Sequence, residues 1–348
     1  MMLPLGTWPA LAVVALAALW PEPLVTPSKE SIRGWIQDLE DDRFDVREQA
    51  SERLVRAGRA AIEAVTAAAS GDSPEVTSRS IDVLKKLSTS TDPAVTSAAT
   101  DALKRLVGSK NTLAAAQARR GLLFRQYEAA RALQRCGALI EIREGWPVTE
   151  VDLDKVAINP QLLARLRELP DLEALSAGNA SMDDACMAEL KGLPRLERLN
   201  LYQSSVGDVG LKYLKELPAL RTVPMGATKV TDAGLVHLKD LVQLEYVGFR
   251  HDRVTDAGLV HLRGLKNLTG LYLGETQVTD AGLVHLSEMS KLNYLILEKT
   301  KVSDAGLVKL RGLRSLQSLN LSGCPVTNAG INALRRSIPR IQVQLADP

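Results

Sequence analysis

The C-terminal part of the chain repeats itself with a fixed period of 24 residues. The motif Val-Thr-Asp-Ala-Gly-Leu-Val-His-Leu occurs three times, and Val-Ser-Asp-Ala-Gly-Leu-Val-Lys-Leu follows in register. A glycine returns at the same place in successive units, at Gly210, Gly234, Gly258, Gly282, Gly306 and Gly330. Residues 139–345 hold about eight such units. A constant period in this range predicts a solenoid, in which each unit buries its apolar side against its neighbours.

Each unit predicts one short strand followed by one short helix. Leu199 and Leu201 alternate with polar residues, which is typical of a strand with one buried face. A Thr-Asp or Ser-Asp pair then opens a helix, where a hydroxyl or carboxylate accepts hydrogen bonds from unpaired backbone N–H groups. We therefore predict an α/β solenoid, a horseshoe with parallel strands on the concave face and helices outside.

These signatures closely resemble the leucine-rich repeat family, in the variety with Leu-x-x-Leu-x-Leu strands and a Thr/Ser-Asp-Ala-Gly-Leu helix start. The resemblance covers about residues 139–345 and implies a horseshoe that uses its concave face for binding. The repeats are also similar to the receptor arm of F-box proteins, but the sequence contains no F-box segment. An F-box-like substrate-recognition role therefore stays a lesser alternative.

A different, helical pattern fills residues 28–107. After each of Asp42, Asp72 and Asp92, a Val and a Leu stand eight residues apart, which places them on one helix face. The run Asp42-Arg-Phe-Asp-Val-Arg-Glu-Gln-Ala resembles a HEAT repeat, and the two later stretches are weaker copies. We predict an all-α, HEAT-like helical domain, with a plain helical bundle as the alternative.

Residues 108–138 predict a basic connecting helix. One acid, Glu128, stands in this neighbourhood against Lys104, Arg105, Lys110, Arg119, Arg120, Arg125, Arg131 and Arg135. Such a helix can lie on phosphates or anionic lipid, or it can be a solvated face balanced by acids elsewhere.

Residues 1–21 carry no charged side chain and include a strongly apolar run. This pattern predicts a signal peptide or a membrane anchor. We therefore expect an exported or cell-envelope (periplasmic or secreted) protein rather than a cytoplasmic one. A signal, HEAT-like helices and this repeat type in one short chain look bacterial.

The concave face carries the candidate binding residues. Side chains between and beside the strand leucines point away from the core. They include four of the six tyrosines, and tyrosine is favoured at binding surfaces. Scattered exposed aromatics are the alternative to a contact patch. The candidate partner-binding residues are Arg198, Tyr202, Tyr246, Arg250, Tyr272, Tyr294, Ile296 and Glu298.

Two further sets of side chains invite an ionic interpretation. Glu150, Asp152 and Asp154 share the inner face of the first strand, where they could contact a basic partner or calcium, or protect a sheet edge. His237, His261 and His285 recur with the repeat on the outer side, where we expect too wide a spacing for one zinc ion. We predict no metal site.

Composition and motifs argue against several other classes of function. The net charge of +2 gives no global attraction to nucleic acid, and Cys136, Cys186 and Cys324 form no CxxC pair. Nucleophile-elbow, metalloprotease, Walker-type and dinucleotide-binding motifs do not occur. We predict a non-enzymatic protein–protein interaction scaffold without a cofactor. The alternative is a cell-envelope protein that binds a glycan or an anionic surface.

Overall fold

The computed structural model of the chain describes residues 27–90, 92–143, 145–179 and 181–345. The chain divides into two compact units, Met1–Leu122 and Leu123–Pro348. The apolar run in residues 1–21, on which the prediction of export rests, lies outside the described residues.

The first unit is built from helices packed around one apolar core. Its core includes Leu39, Leu54, Ile81, Leu84 and Leu103, all fully buried. The sixth helix carries the boundary between the two units. The helices are α1 (Lys29–Asp38), α2 (Phe44–Arg56), α3 (Ile62–Ala69), α4 (Pro74–Leu87), α5 (Pro93–Val107) and α6 (Thr112–Arg135).

Short polar side chains begin several of these helices. Asp92 caps α5 by accepting a hydrogen bond from the Ala94 N–H at 2.8 Å. Ser73, rather than the neighbouring Asp72, caps α4, while α2 begins after Arg43 without a side-chain cap. Of Asp42, Asp72 and Asp92, it is therefore Asp92 whose side chain caps a helix.

The second unit contains one parallel sheet whose nine described strands follow the order of the sequence. Each strand residue pairs with the residue 24 positions later, as in Tyr246↔Gly270 and Gly270↔Tyr294. This sheet confirms the predicted α/β solenoid. The strands are β1 (Glu150–Asp152), β2 (Ala174–Ser176), β3 (Arg198–Asn200), β4 (Thr222–Pro224), β5 (Tyr246–Gly248), β6 (Gly270–Tyr272), β7 (Tyr294–Ile296), β8 (Ser318–Asn320) and β9 (Gln342–Gln344).

Helical segments alternate with these strands on the other side of the core. Most of them run on into a short 3-10 turn, and the segment after β6 consists of the 3-10 turn Gly282–Leu286 alone. The α-helices are α7 (Pro160–Ala164), α8 (Asp184–Met187), α9 (Asp208–Leu211), α10 (Asp232–Leu235), α11 (Asp256–Leu259), α12 (Asp304–Lys309) and α13 (Asn328–Ser337).

A left-handed residue turns the chain out of the strand in five successive units. Gln203, Ala227, His251, Glu275 and Lys299 all have φ between 53° and 65°. Their N–H groups donate to carbonyl groups of the next unit, for example from His251 to Gly274 at 2.9 Å. The turn therefore extends the hydrogen bonding between units beyond the three-residue strands.

No helix within the described ranges is both long and apolar enough to cross a membrane.

Candidate partner-binding face

Tyr246, Tyr272, Tyr294 and Ile296, here called the tyrosine patch, lie on three neighbouring strands. The ring centroids of Tyr246 and Tyr272 are 5.1 Å apart, and the ring planes are tilted by 55°. Gly270 stands between Tyr246 and Tyr294 in the strand register. A side-chain carbon added at Gly270 would lie 2.7 Å from Cδ2 of Tyr246, so the absence of a side chain there leaves space for this ring. The patch is therefore a packed aromatic surface with a glycine beneath it.

The members of the patch differ in exposure and in acidity. Tyr294 is 49% exposed, whereas Tyr246, Tyr272 and Ile296 are half-buried. Burial, followed by the nearby Tyr272, raises the pKa of the Tyr246 phenol above its ordinary value. The Tyr246 hydroxyl therefore stays protonated and able to donate a hydrogen bond across the physiological pH range.

Arg250, His251, Glu275 and Glu298, here called the ionic cluster, lie in the turns that follow β5, β6 and β7. The Arg250 guanidinium donates to Glu275 Oε1 at 2.7 Å and lies 2.8 Å from Glu298 Oε1. His251 Nδ1 lies 3.2 Å from the second oxygen of Glu275. The hydrogen bond from Arg250 lowers the pKa of Glu275 and raises that of Arg250 itself. Two residues chosen from the sequence, Arg250 and Glu298, are thus joined, and Glu275 and His251 complete the cluster.

The other two candidate residues stand apart from the tyrosine patch. Arg198 lies on β3, two strands before Tyr246, and its guanidinium donates to Glu150 Oε1 at 2.7 Å. Tyr202 follows β3 and is 37% exposed. The structure therefore gathers six of the eight candidates on β5, β6 and β7 or in the turns that follow them, and leaves Arg198 and Tyr202 toward the N-terminal side.

The three carboxylates of the first strand all have partners within the fold. Asp154 Oδ1 accepts from the Ser176 hydroxyl and from the Gly178 N–H, both at 2.8 Å. Asp152 Oδ1 accepts from the Asp154 N–H at 2.8 Å, and Glu150 is paired with Arg198. These contacts explain the acidic strand by local structure. In the part of the chain that the structure describes, no three His, Cys, Asp or Glu side chains are grouped to hold a metal ion.

The aspartate that recurs at the helix start connects each unit to the next. Asp208 Oδ1 accepts from the Thr231 N–H and Oδ2 from the Thr231 hydroxyl, each at 2.7 Å. Gly234 lies directly against this carboxylate, where a larger residue would collide with it. We call this arrangement the aspartate latch, and it recurs in the pairs Asp232–Thr255, Asp256–Thr279, Asp280–Ser303 and Asp304–Thr327. The recurring aspartates are thereby accounted for as structural residues.

A family model described as Leucine Rich repeat matches residues 312–334, about the length of one unit. Together with the unbroken 24-residue register of the sheet, this match identifies the type of repeat. The second unit has a leucine-rich repeat fold.

Solved leucine-rich repeat structures resemble the chain at low sequence identity. Internalin C2 from Listeria monocytogenes is 19% identical with a TM-score of 0.48, over 71% of this chain and 92% of that one. Another Listeria monocytogenes internalin is 20% identical with a TM-score of 0.41, over 53% of this chain. This chain spans 57% of that internalin's length. The leucine-rich repeat ectodomain of the Arabidopsis receptor kinase HAESA, solved with a peptide hormone, is 17% identical with a TM-score of 0.49, over 65% of this chain and 42% of that one. No curated protein matches the sequence.

Two cations at the end of α5, Lys104 and Arg105, and two on the basic helix α6, Arg125 and Arg131, have acidic partners. Ion pairs join Arg105 to Glu63 at 2.8 Å and Arg131 to Glu128 at 3.1 Å. Two further pairs are Lys104–Asp101 at 3.7 Å and Arg125–Glu168 at 3.4 Å. These pairs favour the interpretation of a solvated face balanced by acids.

The cysteines of the leucine-rich repeats take part in packing. Cys186 is buried, and burial raises the pKa of its thiol. Cys324 Sγ lies 2.9 Å from the Leu297 carbonyl oxygen and 3.4 Å from the Thr300 hydroxyl. Both thiols therefore behave as small, partly apolar side chains rather than as nucleophiles.

The last two units carry a cluster of cations that neither a motif nor the total charge of the chain reveals. Residues 305–346 contain no Asp or Glu. The near-neutral total charge of the chain hides this asymmetry, although the sequence displays it directly. We call the six cations of this stretch the basic end: Lys309, Arg311, Arg314, Arg335, Arg336 and Arg340.

Proposed function

We propose that this protein is a non-enzymatic scaffold that binds a protein partner on the concave face of its leucine-rich repeats. Leucine-rich repeat proteins are typically protein-interaction modules, and their curvature provides an extended surface. One observation carries the proposal: the Tyr246 and Tyr272 rings pack 5.1 Å apart beside the exposed Tyr294.

The packing of the tyrosine patch supports a binding role. Tyr246 and Tyr272 already restrict each other's rotation, so a partner that contacts them loses less side-chain entropy on binding. Tyrosine also supplies a large apolar area together with a hydroxyl that selects for hydrogen-bonding groups. A preformed aromatic surface of this kind resembles the central contact region of a protein interface.

Affinity capture with the purified chain tests the proposal. The wild-type chain and the Tyr272→Ala/Tyr294→Ala variant are immobilised at equal density and exposed to the same native extract. We expect one or more proteins to be retained by the wild type and reduced at least tenfold with the variant, because each buried interface tyrosine contributes about 1–2 kcal/mol or more. Purified partner and a titration then give the dissociation constants.

A tyrosine outside the patch provides the matched control. Tyr213 lies in the 3-10 turn Lys212–Glu216, on the helical side of the repeat. Tyr213→Ala should leave capture unchanged if the variant remains folded. Equal capture by all three proteins would refute a role for the tyrosine patch. Retention of a carbohydrate instead of a protein would point to the glycan-binding alternative.

Two other predictions remain proposals of their own. We propose that the helical unit is HEAT-like and offers a second docking surface, because its helices share the spacing seen at residues 28–107.

We also propose export to the cell envelope, because residues 1–21 are free of charged side chains. Mass spectrometry of the mature N-terminus tests the second proposal.

A further inference from the structure

Unpaired positive charge is concentrated at the C-terminal end of the leucine-rich repeats. Five of the six cations of the basic end are exposed and Lys309 is half-buried. None of the six forms an ion pair within the described residues, and no acid occurs in residues 305–346. The rest of the chain carries a net charge of −4, so this local net charge of +6 is a separate feature.

Two arginines at the equivalent position in earlier units form ion pairs, whereas Lys191 and Lys239 at that position form none among the described residues. Arg167 and Arg263 hold the same repeat position as Arg311 and Arg335. Arg167 contacts Glu189 at 2.6 Å, and Arg263 contacts Glu288 at 3.1 Å. The fold therefore permits ion pairs at this position when a neighbouring unit carries a carboxylate. The last two units carry no such carboxylate in residues 305–346.

The cations of the basic end lie on the helical segments of the last two units or in the turns after them, away from the concave face. Arg311 belongs to the 3-10 turn Leu310–Gly312, and Arg335 lies in the last turn of α13. Arg311 stands 17 residues after Tyr294, and Arg335 stands 17 residues after Ser318. Tyr294 and Ser318 pair directly in the sheet. Arg335 and Arg336 also favour the negative end of the α13 dipole, but this effect does not involve the other four cations.

The chemistry of this surface fits phosphate groups arranged over an apolar layer. Five of the six cations are arginines, whose planar guanidinium groups bind phosphate oxygens in pairs. Small apolar residues on α12 and α13 lie exposed on the same helical segments, namely Ala305, Val308 and Ala329, and the counterparts of Val308 in earlier units, Val260 and Val284, are exposed as well. Exposed apolar side chains gain no burial from contact with a hydrated soluble polyanion. They are buried at the boundary between lipid headgroups and acyl chains.

Nucleic acid is the less suitable partner for the basic end. No Phe, Tyr or Trp occurs after Tyr294, so no aromatic ring is available on which bases could stack.

We propose that the basic end is a docking surface for an anionic phospholipid bilayer. Contact through the helical segments of the last two units leaves the tyrosine patch free for a partner. The proposal is independent of the proposed function, because the two surfaces share no residue.

Vesicle co-sedimentation with the full chain tests the proposal. The vesicles are pure phosphatidylcholine or phosphatidylcholine with about 30% phosphatidylglycerol, at 50 mM and 500 mM salt. We expect binding to the anionic vesicles at low salt, little binding to neutral ones, and strong weakening at high salt, because screening shortens the reach of the cations. Arg311→Gln/Arg335→Gln should reduce the partition coefficient about 25-fold, since each arginine near the surface contributes about fivefold.

The matched control removes the same number of arginines from the same repeat position. Arg167→Gln/Arg263→Gln should change the partition coefficient by less than about threefold, because both side chains are already paired. Equal partitioning of the wild type and Arg311→Gln/Arg335→Gln would overturn the proposal, as would equal binding to neutral vesicles. Complete competition by duplex DNA at equal phosphate concentration would assign the surface to nucleic acid instead.

Discussion

The Asp256 carboxylate forms two hydrogen bonds to Thr279 of the next repeat. Oδ1 accepts from the Thr279 N–H at 2.8 Å, and Oδ2 accepts from the hydroxyl at 2.6 Å. The Thr279 hydroxyl lies 3.2 Å from the Ala281 N–H, for which it is the acceptor. Each latch thus stabilises the interface between two units and the helical start of the second one.

Loss of one latch is expected to lower the stability of the whole repeat region. Asp256→Ala leaves the Thr279 N–H and hydroxyl without their acceptor, so we expect the free energy of unfolding to fall by about 2–3 kcal/mol. Urea denaturation followed by circular dichroism measures this change. Asn328→Ala is the control, because Asn328 holds the same position in the last helix and forms no such latch among the described residues. Similar losses for both variants would contradict the role of the latch.

The glycine of the repeat is expected to be required by the latch rather than by backbone conformation. A side-chain carbon at Gly282 would collide with the Asp256 carboxylate and also lie 2.9 Å from Cδ1 of Leu259. Gly282→Ala should therefore cost about 2–3 kcal/mol in the free energy of unfolding. Gly312→Ala is the control, since an added carbon there would meet nothing closer than the Ser287 carbonyl oxygen at 3.7 Å. Thermal unfolding that does not separate the two variants would argue against a steric requirement.

Asp252 is expected to make the stability of the repeat region depend on pH. It is 4% exposed, and its Oδ1 accepts from the Thr228 N–H at 2.6 Å, but Oδ2 has no hydrogen-bond partner among the described residues. Burial raises the pKa of Asp252 from 3.8 to about 7. The folded chain therefore holds this proton more tightly than the unfolded chain, and its stability falls as the pH rises from about 4 to about 7.

Replacement of Asp252 by its neutral analogue should remove that dependence. Asp252→Asn should be more stable than the wild type at pH 8, by about 2–4 kcal/mol, and close to the wild type at pH 4. Urea denaturation at a series of pH values measures the difference. Asp240→Asn, at an exposed aspartate, is the control and should leave the pH profile unchanged. A constant difference between Asp252→Asn and the wild type across this range would show that burial does not shift Asp252.

A side chain at Gly270 is expected to displace the Tyr246 ring. Since the added carbon would lie 2.7 Å from Cδ2 of Tyr246, Gly270→Ala should expose the phenol and lower its raised pKa. Alkaline titration of phenolate absorbance measures that pKa, and the free energy of unfolding should fall by about 1–2 kcal/mol. Gly274→Ala is the control for the titration, because its added carbon would meet Cγ of Glu298 at 2.6 Å rather than a tyrosine ring. An unchanged titration of Gly270→Ala would contradict the described packing.

The sequence predicted the sheet register because the period was constant. A spacing of 24 residues determines that Tyr246, Gly270 and Tyr294 follow one another across three strands, as the structure shows. The Thr-Asp pair was likewise predicted to begin the helix, and Thr231 does cap its helix. The second role of the aspartate was not predicted, because the distance between stacked units does not follow from their period.

The ionic cluster could not be predicted from alternation along a strand. His251 and Glu275 adopt a left-handed backbone, which directs their side chains differently from those of the strand residues before them. The basic end, by contrast, was present in the sequence as a stretch without acids. Total charge was the wrong quantity for finding it, since an excess at one end of a solenoid disappears in the sum.

The aspartate latch makes the boundaries between the central units chemically alike. Thr255 and Thr279 each donate the same two hydrogen bonds to an aspartate 23 residues earlier. Removal or duplication of one whole unit would bring together the same partners in the same geometry. Such a chain can gain or lose complete units during evolution or engineering. The length of its inner surface then changes while the packing of the core stays the same.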